Sequence, residues 1–157
     1  LTVCMSTLAQ AGEIVRVSGK ATDKIINMEP VYGTPGPTRF AYRSVAKGIA
    51  RAAGDAVFDG AERTIRANWD IQGGVGTGNG FFTVVKGSDS AGGQWNGMCS
   101  TVLDKDGKPS TYCAGGWTFS PNGGSGAFAT LSGGGSWTGT VSPDGGFDGA
   151  FEGQYTR

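Results

Sequence analysis

Between Gly146 and Thr156 the chain alternates with a period of two: Phe147, Gly149, Phe151, Gly153 and Tyr155 share one parity, while Asp148, Ala150, Glu152, Gln154 and Thr156 share the other. Successive side chains of a strand point to opposite faces, so this segment is a strand with an aromatic face to bury and a polar face to leave in water. Ile65, Ala67, Trp69 and Ile71 form a similar row against Arg66, Asn68 and Asp70, and "GEIVRVSGKA" and "ERTIRANWDIQ" both alternate as strands. Further runs fall at Gly80–Lys86, Gly93–Leu103, Ser110–Phe119, Ala127–Ser132, Ser136–Ser142 and Gly146–Thr156. The segments "GSDSAGG", "DKDGKP", "SPNGGSG", "SGGG" and "SPDGG" separate them, with the Gly, Asp, Asn and Pro content of hairpin turns. Strands joined at hairpin length predict an all-β fold, an antiparallel up-and-down β-barrel of about eight strands, because closure removes the exposed edges. Residues 12–157 are expected to form that single domain.

One segment fits two periods. In "TRFAYRSVAKGIARAAG" the residues Arg39, Arg43, Lys47 and Arg51 make one stripe on a helix or one face of a strand. Alanine content favours a short helix around residues 39–53, and Gly48 weakens it. Either way the basic face is expected to be solvated, with an anionic partner as the alternative.

Aromatic-x-Gly recurs at Trp95-Asn96-Gly97, Trp137-Thr138-Gly139, Phe147-Asp148-Gly149 and Phe151-Glu152-Gly153. Each ring is followed on its own face by an empty site, which a ring from the neighbouring strand can cover. The expected interior and ligand-lining residues are Trp69, Trp95, Trp117, Trp137, Phe147, Phe151 and Tyr155. The bland reading of such rows is plain core. The functional one is that an eight-stranded barrel is just wide enough to hold one small ligand.

Composition sharpens this picture by exclusion. The 30 glycines stand among 4 tryptophans and 8 phenylalanines, which suits a turn-rich packed β protein rather than a disordered one. Lysine plus arginine and aspartate plus glutamate each number 13, so no global charge favours nucleic acid. There is no histidine, which removes imidazole acid–base chemistry, Ser-His-Asp and Cys-His catalysis and the usual histidine-containing zinc sites. "GGVGTGNG" lacks the lysine of a phosphate loop, and "DKDGKP" lacks the twelfth-position glutamate of a calcium loop. No metal and no cofactor is expected. The remaining catalytic candidates are Tyr155, whose phenol could face a cavity, and Glu152 and Asp70, whose parity places them outside the barrel. No apolar run is long enough for a membrane-spanning helix.

The first residues, "LTVCMSTLAQAG", end in the small-x-small pattern Ala9-Gln10-Ala11. Residues 1–11 therefore read as the remnant of a signal peptide cut before Gly12, or as an N-terminal extension lying on the domain. Cys99 and Cys113 lie equally far from Asp106 in the Asp-Gly turn, so a hairpin centred there sets them opposite each other. A disulfide between them, and a secreted or periplasmic protein, are expected; two buried free thiols are the alternative.

The stretch "SGAFATLSGGGSWTGTVSPDGGFDGAFEGQYTR" resembles the C-terminal signature of the allene-oxide-cyclase-like, calycin-type β-barrels. That resemblance implies an eight-stranded antiparallel barrel, a homo-oligomer, and an apolar cavity for a hydrophobic small molecule that some members cyclise or isomerise by holding one conformer. No catalytic motif of the family can be matched here residue by residue. Avidin- and lipocalin-type barrels carry similar "SWTGT" strands and imply binding without chemistry. The functional expectation is an exported barrel that binds a hydrophobic or aromatic small molecule, with a cofactor-independent cyclase or isomerase as its chemical version. A structural or envelope-associated interaction protein with a filled barrel is the alternative.

Overall fold

The computed structural model describes residues 12–31, 38–103 and 105–157; Cys4 and the expected signal remnant at residues 1–11 lie outside them. Eight strands follow in order: β1 Ile14–Pro30, β2 Arg39–Arg51, β3 Glu62–Gln72, β4 Val75–Lys86, β5 Asp89–Leu103, β6 Pro109–Phe119, β7 Ser132–Val141 and β8 Gly146–Thr156. Each pairs antiparallel with the next, and β8 pairs with β1, so the sheet closes as an up-and-down barrel without a free edge. Among the described residues no helix is long and apolar enough to cross a membrane.

The segment expected to be a short helix at residues 39–53 is strand β2. Its even positions Tyr42, Ser44, Ala46, Gly48 and Ala50 turn inward, and it pairs with both β1 and β3. Helix propensity is worth only tenths of a kcal/mol per residue, and two ladders of hydrogen bonds outweigh it. A second correction falls at Ala127–Ser132, which is not a strand. It contains part of a 3-10 turn over Gly126–Phe128, and Phe128 and Leu131 are buried beneath the end of the barrel. The "SGGG" expected as a turn lies instead at the start of β7, where a Cβ on Gly135 would collide with the Glu152 carbonyl of β8. The count of eight survives because Arg39–Arg51 takes the place of Ala127–Ser132.

The aromatic-x-Gly pattern is realised across strands. The Trp69 ring lies over Gly78 of β4, Phe82 over Gly93 of β5, Trp137 over Gly97 of β5 and Phe147 over Gly139 of β7. A Cβ at any of these glycines would enter the ring, so the missing side chain makes the room in which the ring sits.

One end of the barrel is closed by its own chain. The β2–β3 connection, residues 52–61, folds in so that Ala52, Val57, Phe58 and Ala61 are buried. Phe58 is the hub of this plug, with ring centroids 5.0 Å from Phe151, 5.5 Å from Trp117 and 5.8 Å from Phe119. The Asp55 carboxylate holds the turn by accepting from the Val57 and Phe58 backbone N–H groups at 2.9 and 2.8 Å. The Tyr155 hydroxyl donates to the other Asp55 oxygen at 2.9 Å, tying the plug to β8.

Candidate functional site

Above the plug the barrel is not filled. A cavity of about 130 Å³ starts at Phe58, Phe82, Trp117 and Phe151 and extends to Val141 and Gly145, which belong to the end carrying the β7–β8 turn. Phe58, Phe82, Trp117 and Phe151 are buried, while Trp69, Trp137 and Phe147 nearer that turn are only half-buried, so solvent reaches the cavity from that side. An engineered apolar cavity of about 150 Å³ accepts benzene, which puts the present space at the scale of one aromatic ring.

Four strands carry the aromatic wall by the alternation that built the fold. Trp69 of β3, Trp95 of β5, Trp137 of β7 and Phe147 of β8 form a row of touching rings, with centroids 5.3, 5.8 and 5.9 Å apart in that order. Two of the indoles are fixed by hydrogen bonds to strands two positions away: Trp95 Nε1 donates to the Arg66 carbonyl of β3 at 3.3 Å, and Trp137 Nε1 to the Asn96 carbonyl of β5 at 3.2 Å. Trp117 differs. Its buried Nε1 has no hydrogen-bond partner among the described residues. The disulfide Cys99–Cys113 joins directly opposed residues of β5 and β6, and Cys113 is part of the wall.

The opposite wall is polar where it had no need to be. Asp23 of β1, Ser44 of β2 and Arg63 of β3 all line the cavity. Asp23 pairs with Arg63 at 3.4 Å, with the two side chains only 3% and 17% exposed, and its Oδ1 has no partner among the described residues. Burial pushes the Asp23 carboxyl above the ordinary carboxylate value, with Arg63 pulling it back; burial lowers the Arg63 guanidinium, with Asp23 opposing. The cavity thus sets one net-neutral ion pair against a wall of rings.

Of the residues expected to line a ligand site, Trp69, Trp95, Trp117, Trp137, Phe147 and Phe151 do line this cavity, and Tyr155 does not. Tyr155 lies on the far side of Phe58, at a centroid distance of 6.2 Å. Burial, then its hydrogen bond to Asp55, raises the phenol far above its ordinary value, so it stays protonated as the bolt of the plug. Asp70 is outside, in a two-pronged ion pair with Arg39 whose hydrogen bond holds its carboxyl below the usual range. Glu152 is exposed on the outer face and accepts from Ser136 Oγ at 3.4 Å. Among the described residues no cluster of His, Cys, Asp and Glu could hold a metal ion.

Sequence reasoning passed over Asp23, Ser44 and Arg63, although the signal was present. Asp23 has the parity of Val15, Val17 and Ala21, and Arg63 that of Ile65, Ala67 and Trp69. A charge at an inward position is the informative exception.

No protein-family model matches the chain, and no curated protein matches it. Among solved structures it is similar to a protein of unknown function from the DUF3224 family of Shewanella oneidensis MR-1. The TM-score is 0.59 and the identity 15%, over 91% of this chain and 97% of that one. At that identity the likeness is one of fold.

Proposed function

We propose that the barrel binds a hydrophobic or aromatic small molecule in its interior. The observation that carries this reading is the ring-lined cavity of about 130 Å³ between the Phe58 plug and the Trp69, Trp137 and Phe147 rings. A protein that needed the barrel only as a scaffold would fill it, since empty apolar volume costs stability. The resemblance of Ser125–Arg157 to allene-oxide-cyclase-like barrels supports the same reading. A cyclase or isomerase acting by conformational confinement is the second reading, favoured by one observation: the Asp23 carboxyl is buried in the cavity wall, where it can face a bound molecule. The Cys99–Cys113 disulfide supports a secreted or periplasmic location.

Native mass spectrometry of the purified protein, together with tryptophan fluorescence titrations against a panel of apolar ring compounds, tests this. Binding of at least one compound at a one-to-one ratio is expected. Unchanged fluorescence across the panel, with no co-purifying mass, would overturn the binding reading. A ligand recovered chemically altered would establish the second one.

A further inference from the structure

The cavity also specifies the chemistry of its occupant, an inference that rests on the binding reading above. Two residues that line it each carry a buried polar atom without a partner among the described residues, one an acceptor and one a donor: Asp23 Oδ1 and Trp117 Nε1. These two are exceptions in their own surroundings. The neighbouring indoles Trp95 and Trp137 both donate to backbone carbonyls, and other inward positions of β1 hold valine, glycine, alanine or isoleucine. An aspartate at position 23 is therefore not required to build the barrel, and it brings the cost of burying a carboxylate and a guanidinium together. Leaving a buried acceptor unmet adds to that cost.

The charge of the occupant follows from the same pair. Asp23 is neutralised by Arg63 at 3.4 Å, so the wall has no net charge to offer a cation. A carboxylate would bring a second negative charge against Asp23. A wholly apolar ring would leave both polar atoms dry and unpaired. A hydroxyl can donate to an unmet acceptor such as Asp23 Oδ1, and it keeps lone pairs with which to accept. We infer that the site takes a small neutral monocyclic aromatic compound bearing a hydroxyl, of the phenol class, whose O–H donates to Asp23.

Calorimetric titration of the full chain with phenol, fluorobenzene, benzoate and benzylamine tests this, because fluorobenzene nearly matches phenol in shape and lacks the donor. Phenol is expected to bind at least about tenfold more tightly than fluorobenzene, the scale of one hydrogen bond to a charged acceptor. In Asp23→Asn, where the acceptor is neutral, that preference should fall at least about threefold. Equal binding of phenol and fluorobenzene overturns the inference while leaving the binding reading standing, and so does tightest binding of benzoate or benzylamine. Undiminished preference in a folded Asp23→Asn protein overturns the role of Asp23. Binding of none of the four, in a protein that also binds nothing from the wider panel, overturns both. The wild-type series stands by itself if the variant does not fold.

Discussion

At Asp23 one side chain couples the stability of the barrel to pH. Burial raises its carboxyl above the value of 3.8 that an unperturbed aspartate shows. Between that value and the raised one, the folded protein binds a proton that the unfolded chain has released, so stability falls as pH rises through this window. Asparagine does not titrate. The melting-temperature advantage of the wild type over Asp23→Asn should therefore shrink on going from about pH 4 to pH 7, and a difference that stays flat would contradict the assignment. Glycines give a second residue-scale contrast. A Cβ on Gly97 would enter the Trp137 ring, whereas one on Gly116 would meet its nearest atom, the Gly135 carbonyl oxygen, at an ordinary 3.5 Å. Gly97→Ala should cost about 1–3 kcal/mol in chemical denaturation by overpacking. Gly116→Ala should be neutral or add up to about 1 kcal/mol, because it narrows the unfolded ensemble. Equal effects at the two positions would show that the rings do not depend on the missing side chains.

The plug and β8 belong together at the scale of elements. Tyr155 reaches past Phe58 to Asp55, which in turn holds the backbone of the β2–β3 connection. Tyr155→Phe leaves a carboxylate oxygen without its donor, and a loss of about 1–3 kcal/mol is expected in thermal or chemical unfolding. Binding of a ring compound in the cavity should survive, since Phe58 stands between Tyr155 and the space. Lost binding with unchanged stability would instead make Tyr155 a ligand contact. The elements themselves were legible where one face carries a run of apolar residues, as in β8 and in β3 from Ile65 to Ile71. They were hidden where interior positions are Ser, Ala and Gly, as in β2, because such residues carry no strong period and let alanine suggest a helix. The segment Ala127–Ser132 misled for the opposite reason: Phe128 and Leu131 are buried, but as a loop packed under the barrel end.

For the whole molecule, closure and the Cys99–Cys113 bond were legible, because antiparallel turns and parity constrain them tightly, whereas the count of eight held because one missed strand offset one false one. The cavity was legible only as a face of rings. Its empty volume depends on which side chains from opposite walls meet, and its polar wall brings together β1, β2 and β3, which no local period connects. The plug could not be read at all, since nothing in "AAGDAVFDGA" states that a loop turns inward rather than outward. The central claim is that the space above Phe58 is an open, apolar binding cavity, and xenon tests it with no assumption about the natural ligand. Diffraction from crystals of the protein under xenon pressure should show one ordered xenon inside the barrel, bounded by Phe58, Trp117 and Trp137. A barrel whose interior stays without xenon, its space taken up by the side chains themselves, would contradict the account.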